Sequence, residues 1–291
     1  MKIVCIADKK NRIQYNRMKL LSKYFKNLDI DVFAMKDSFN IDKYDVAYYT
    51  HFSIYKKRPF KGKKYASITS HKCLSNKKKT LSQLSVFDGI SVNNTFLFDE
   101  FKDYIDNLYY TPNGVDTNFF SFRNKELGKP ITLGWVGNKD RETKNYRKML
   151  KPLIHKFKTI NFNVVASSKK DTDKQMKNID EMKQFYYSID FLLVTSTDEG
   201  TPNPALEAMS CGVPVITTPV GNMVEIVLDG ISGFVVENDF ESFSDSIRWV
   251  KKNFNNEKYS KMRQSSRFLI EDWSWENKHL RWLNFFEDFG K

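Results

Sequence analysis

Asp198-Glu199-Gly200-Thr201-Pro202-Asn203-Pro204-Ala205-Leu206-Glu207-Ala208-Met209-Ser210-Cys211-Gly212 lies between two short apolar runs, Phe191-Leu192-Leu193-Val194 and Val213-Pro214-Val215-Ile216. The pattern reads as strand, turn, helix, strand. Asn203 is expected as the N-cap, because its side-chain oxygen can accept an orphan backbone N–H. Pro204 suits the first helical position, where a missing N–H costs nothing. Gly212 is placed to end the helix in a left-handed conformation. The open N–H groups and positive dipole end of such a helix favour an anion such as a diphosphate. Two carboxylates, Glu199 before the helix and Glu207 about one turn into it, can then face a ligand lying across the helix end. That arrangement suits a nucleotide-linked sugar.

Working outward, the 291-residue chain suits two domains, and 41% hydrophobic with 15% aromatic residues is enough to fill two cores. No apolar run approaches the ~20 residues that span a bilayer. The opening run Ile3-Val4-Cys5-Ile6-Ala7 reads as a buried first strand and is too short for a signal peptide. Cys5, Cys73 and Cys211 form neither a metal spacing nor a disulfide framework, and a reducing, cytoplasmic setting is the expectation. The four histidines are too dispersed to suggest a metal site. The net charge of +12 is uneven: residues 1–112 hold 21 Lys/Arg against 11 Asp/Glu, and residues 113–291 hold 26 against 24. The strongest runs are Lys56 to Lys64 and Lys77-Lys78-Lys79. Such a field attracts phospholipid headgroups, acidic glycans or nucleic acid, unless the lysines are only a solvated face.

The first part alternates strands (Lys2–Ala7, Ile30–Ala34, Asp45–Thr50, Tyr65–Thr69, Gly89–Val92) with helical periodicity over Asn16–Lys26 and Phe96–Leu108. Thr111-Pro112-Asn113-Gly114-Val115-Asp116 is dense in turn formers and marks a crossing between domains. A second series follows: strand Ile131–Gly137, helix Tyr146–Phe157, strand Phe162–Ala166, helix Glu181–Tyr187, the quoted segment, a helix near Met223–Leu228, strand Gly233–Val236 and helix Phe240–Phe254. The alternation argues for doubly wound parallel sheets. After Asp272-Trp273-Ser274-Trp275-Glu276 the chain closes on an amphipathic run to Phe289, which Ser274 or Asp272 would cap.

The segment from Glu199 to Glu207 resembles the E-x7-E motif of the retaining nucleotide-sugar glycosyltransferases of family 4. The likeness continues through Thr218-Pro219-Val220-Gly221-Asn222-Met223-Val224-Glu225-Ile226-Val227 and Asp229-Gly230-Ile231-Ser232-Gly233-Phe234-Val235-Val236. Pro112 to Asp116 is similar to the family's PNGVD segment. The resemblance implies an α/β chain with the GT-B fold, two Rossmann-like doubly wound parallel-sheet domains facing a central cleft. The acceptor domain is expected at 1–112, with the C-terminal helix 276–291 packing back on it, and the nucleotide-sugar donor domain at 113–275. By resemblance Glu207 binds ribose hydroxyls and Glu199 the donor sugar. Gly200, Thr201, Pro202 and Asn203 surround the donor, with Pro202 standing where the family usually has glycine. Ser196 and Thr197 lie on the strand-end loop, where open α/β sheets bind ligands. Lys144 aligns with the lysine of a turn, here starting at Gly137, whose charge stabilises the leaving diphosphate. Asn138 replaces the family arginine of that turn, and Arg141 or Lys139 is the candidate substitute. His71, after Ile68-Thr69-Ser70, aligns with the family histidine that touches the donor sugar or the acceptor hydroxyl. The loop Asp8 to Ile13 lacks the family's glycines, so either Arg12 or Lys10 contacts phosphate, or that contact is missing.

The expectation is therefore a retaining enzyme that moves a sugar from a nucleotide-sugar to a hydroxyl of a glycan or lipid-linked acceptor. A double-displacement route requires a placed nucleophilic carboxylate, and none stands out, so same-face displacement is favoured. No Asp-x-Asp pair is placed as a metal ligand, so no metal or other cofactor is expected. Peripheral contact with an anionic membrane through the basic first domain fits the charge, and no nucleic acid is expected as partner. The rival readings are a non-catalytic basic binding protein on the same scaffold, directed at membrane or nucleic acid, and a nucleotide-sugar epimerase of the same fold.

Overall fold

The computed structural model describes residues 1–10, 12–124, 130–168 and 178–290. Asn11, within the glycine-poor loop, and Lys291, at the end of the expected last helix, lie outside them. The chain divides into two compact units, Met1–Pro112 with the C-terminal segment from Glu276, and Asn113–Trp275. Unit one runs β1 (Lys2–Ala7), α1 (Ile13–Tyr24), β2 (Asp29–Ala34), β3 (Val46–Tyr49), β4 (Lys63–Ile68), α2 (Lys77–Leu84), β5 (Gly89–Val92), α3 (Thr95–Phe101) and β6 (Leu108–Tyr110). Unit two runs β7 (Thr132–Asn138), α4 (Lys151–Lys156), β8 (Asn161–Ser167), α5 (Ile179–Ser188), β9 (Phe191–Val194), α6 (Asn203–Ser210), β10 (Val215–Thr217), α7 (Met223–Ile226), β11 (Gly233–Val235), α8 (Phe240–Asn253) and α9 (Glu257–Ile270); α10 (Trp275–Glu287) follows.

Both sheets are parallel. Their orders are β2-β1-β3-β4-β5-β6 and β11-β10-β9-β7-β8. The strands are near-continuous apolar runs because both faces of a parallel sheet are covered. On one face of the first sheet Val4, Ile6, Tyr49, Ile68 and Val92 pack with Leu97 and Phe101. On the other, Tyr48, Tyr65 and Tyr109 meet Trp282, Phe285 and Phe289 of the C-terminal segment, with Tyr65 and Phe289 stacked at 3.8 Å. In the second sheet Leu192, Val194 and Val215 face α5 and α6, while Leu133, Trp135, Leu193 and Ile216 face α4 and α8. No described helix is long and apolar enough to cross a membrane.

Several elements differ from the sequence reading. The helix expected over Phe96–Leu108 stops at Phe101, and Leu108–Tyr110 instead pairs with β5. The expected single helix Tyr146–Phe157 opens as a wide i→i+5 turn over Tyr146–Leu150 before α4. Pro152 supplies no N–H to an ordinary helical ladder there. α2 begins on Lys77-Lys78-Lys79, capped by the Asn76 side chain, and α9 was not anticipated. α5 starts two residues before Glu181, through a reciprocal cap between Asn178 and Glu181.

Candidate functional site

In unit two the strand order reverses between β7 and β9, and ligands of open α/β sheets bind beyond the carboxyl ends of the strands at such a point. The two loops that leave those strands are tied together. Thr197 N–H donates to Thr143 O at 2.8 Å, and Thr195 Oγ1 donates to Lys144 O at 2.8 Å while accepting from Trp135 Nε1 at 3.0 Å. Lys144 consequently comes out beside Glu199: its Nζ pairs with Glu199 Oε1, and Ser196 Oγ donates to the same oxygen at 2.8 Å. The two side chains are only 15% and 12% exposed. The pair is therefore sheltered enough for its charges to matter energetically, unlike a surface ion pair. Thr218 Oγ1 donates to Ser196 O at 2.6 Å, fixing the same loop from β10.

α6 follows with one correction. Its helical residues begin at Asn203 itself, Pro202 occupies the cap, and no side chain caps the end. The Asn203 side-chain oxygen accepts from Asn113 Nδ2 at 3.0 Å. Its backbone N–H is used on Thr201 O at 3.0 Å, so Asn203 serves to anchor the helix start rather than to cap it. Pro202 is buried and Gly200 is buried. Gly212 does end the helix at φ +73°, with Phe122 packed where a Cβ would stand. Gly221, at φ +55°, presses so closely on this loop that a Cβ would overlap the Gly200 carbonyl oxygen. Gly221→Ala is therefore expected to cost about 1–3 kcal/mol and to displace the loop that carries Glu199. A thermal melt showing wild-type stability would contradict this.

Glu207 lies on α6 and is only partly enclosed by surface, yet its carboxyl is set deep. Burial pushes its pKa up to about 7, against the lowering effect of the Tyr186 hydroxyl, which donates to Oε2 at 2.5 Å. The sequence places Tyr186 only within the expected helix Glu181–Tyr187. Its role as a partner of Glu207 shows only once α5 and α6 lie side by side.

The remaining candidates fall elsewhere. Gly137 is the penultimate residue of β7. Arg141 is exposed and lines a hollow with Lys139, Arg147, Lys148 and Thr197, whereas Lys144 and Ser196 line the space under Pro202 and Pro204. Arg141 and Lys139 thus line a different hollow from Lys144. In unit one His71 opens the short helical turn after β4 and packs on Phe96, ring centroids 4.6 Å apart. Lys10 is exposed and pairs with Asp37 at 3.0 Å. Among the described residues no group of three or more His, Cys, Asp or Glu could hold a metal ion.

Residues 130–253 match the family model of glycosyl transferases group 1. An uncharacterised glycosyltransferase of Methanocaldococcus jannaschii is 35% identical over 101 residues, 34% of this chain and 28% of that one. The chain spans less than a third of the length of the first curated relatives it matches. Among solved structures, sucrose-phosphate synthase from Thermosynechococcus elongatus superposes with a TM-score of 0.73 at 12% identity, covering 99% of both chains. The Anabaena protein HepE in complex with UDP-glucose superposes at 0.72 and 13% identity, over 99% of this chain and 100% of that one. At such identities these likenesses speak to the fold alone. The fold of this chain is GT-B, and the match to the glycosyl transferases group 1 model lies over its second unit.

Proposed function

We propose that the chain is a retaining glycosyltransferase that moves a sugar from a nucleotide-sugar to a hydroxyl of a glycan or lipid-linked acceptor. The observation that carries this is the sheltered Lys144–Glu199–Ser196 cluster at the strand-order reversal of unit two, with Glu207 on the adjoining helix. In this reading unit two holds the donor and unit one the acceptor. Glu207 accepts from the ribose hydroxyls, since an ionised carboxylate has room for two O–H donors. Glu199 accepts from the hydroxyls of the donor sugar. Lys144, released from part of its pairing with Glu199, meets the diphosphate, and the amino end of α6 adds its dipole.

The bond between the anomeric carbon and the phosphate oxygen breaks, and its electron pair leaves with the nucleoside diphosphate. The acceptor oxygen forms its bond to the anomeric carbon on the same face. Its proton passes to the departing phosphate oxygen, so configuration is retained without a protein nucleophile. His71 is assigned to the acceptor hydroxyl. No metal is required in this scheme, because Lys144 and the helix end meet the developing charge. EDTA should leave turnover unchanged; loss of turnover that Mn²⁺ restores would overturn this part. The excess of lysine and arginine in residues 1–112 supports an anionic acceptor or peripheral contact with an anionic membrane, at its cytoplasmic face.

The test of the whole reading is thermal unfolding with UDP, GDP, ADP and CMP, because a ligand that binds only the folded state raises its stability. One of the four should raise the melting temperature, and Glu207→Ala should abolish the rise. Failure of all four would remove the basis for a nucleotide-sugar donor.

A further inference from the structure

Tyr186 is 0% exposed, and its ring packs edge-on against Phe120 and Phe185. A buried phenol usually finds a hydrogen-bond partner for its hydroxyl. Here that partner is Glu207 Oε2, an oxygen of the carboxylate assigned above to ribose. We infer that Tyr186 is a positioning residue of the nucleotide site: it holds one oxygen of Glu207, fixes the rotamer and presents the carboxylate to the vicinal hydroxyls of the ribose. The inference rests on the donor-site reading above and adds to it a residue that no motif marks.

The geometry has two consequences. A carboxylate held from behind loses little freedom when a diol docks on it, so its directional hydrogen bonds to both hydroxyls are better kept. The pinned group should therefore discriminate against a nucleotide that lacks the 2′-hydroxyl. The second consequence is electrostatic. Burial raises the Glu207 pKa to about 7 and the Tyr186 hydrogen bond opposes that rise. Among the described residues, the charged or titratable groups on the surrounding elements include Lys183 on α5, Arg267 on α9 and the Cys211 thiol at the end of α6. Burial, and after it Glu207, pushes the pKa of that thiol up, and Lys183 and Arg267 oppose the rise. Ribose hydroxyls donate to the ionised carboxylate, so affinity should fall as pH drops through about 7. Without the tyrosine hydroxyl the carboxyl becomes harder to ionise, and the same loss sets in at higher pH.

The experiment is calorimetric titration of wild type, Tyr186→Phe, Glu207→Gln and the double variant. The probes are UDP, GDP and ADP, each with its 2′-deoxy counterpart, across neutral pH. Phenylalanine keeps the ring and hence the packing, and Glu207→Gln carries the same phosphate titration of the probe, so the difference isolates the carboxyl. Tyr186→Phe should weaken the best-bound diphosphate about three- to tenfold near neutrality. It should also move the pH midpoint of binding upward, narrow the preference over the 2′-deoxy form, and add little in the Glu207→Gln background. Wild-type affinity and pH profile in Tyr186→Phe, with binding lost in Glu207→Gln, would make Tyr186 a core filler and overturn the inference while leaving the donor site standing. Full binding by Glu207→Gln, or none by wild type, would overturn the donor-site reading and this inference with it.

Discussion

Lys144→Ala is expected to lower turnover about 10²–10³-fold, the usual loss when one preorganised group facing developing negative charge is removed. The same change should destabilise unit two by about 1–3 kcal/mol, because it leaves a largely buried carboxylate with one hydrogen-bond donor fewer. The two effects have separate origins and can be separated. Glu199 keeps the Ser196 hydroxyl when Lys144 is gone, but it loses the cation that balances its charge. Removing both charges, as in Lys144→Met with Glu199→Gln, should recover most of the stability, since neither partner is then left buried and unpaired. It should recover none of the turnover. A purely structural ion pair predicts the opposite ordering: single variants active once refolded, and a double variant active and stable. Steady-state transfer and thermal unfolding on wild type, Lys144→Ala, Glu199→Gln and the Lys144→Met/Glu199→Gln double variant decide between these patterns.

The elements that carry the candidate site were legible in the sequence where their signals are local. The Glu199 to Gly212 stretch carries its own turn formers, helix punctuation and flanking apolar runs, and β9 and α6 form where those place them. The cap was misjudged because Asn203 finds a partner 90 residues away, Asn113, that no local rule reveals. The pairing of Glu207 with Tyr186 escaped notice for the same reason: a tyrosine at core spacing on a helix looks identical whether its hydroxyl meets a carboxylate or not. In unit one the apolar spacing Phe98, Phe101, Ile105, Leu108 mimics a continuing helix. All four pack against the same core, but the last two do so from the segment that leads into β6 and from β6 itself. Periodicity records which residues are buried, not the backbone that buries them. The lysines of Lys77-Lys78-Lys79 were read as charge alone. Their helix depends on the Asn76 cap and on Thr80 and Leu84 being buried beneath it.

The largest loss of stability is expected from Trp282→Ala. The indole is completely buried in unit one. Its Nε1 donates to the Pro112 carbonyl at 2.8 Å, which ties α10 to the last residue before the chain leaves the unit. The Arg17 guanidinium sits 4.9 Å over the ring, and Tyr48 meets it edge-on at 6.1 Å. Truncation to alanine would cost about 3–5 kcal/mol from the transfer and cavity terms for a large aromatic residue. It would also strip a buried carbonyl of its donor and a buried cation of its aromatic face, both of which add to the cost. Burial already pulls the Arg17 pKa below its ordinary value, so losing the aromatic face adds to a desolvation cost that the guanidinium already carries. Trp282→Phe separates the contributions: it restores most of the volume and a ring for Arg17, but not the donor to Pro112. Unfolding should therefore rank wild type above Phe above Ala, with the Phe variant losing about 1–3 kcal/mol. Because Tyr48, Arg17 and Pro112, which meet Trp282, all belong to unit one, nucleotide-induced stabilisation of unit two should persist in both variants. A Trp282→Ala protein that melts like wild type would mean that α10 is a dispensable appendage and not part of the core on which the first sheet rests.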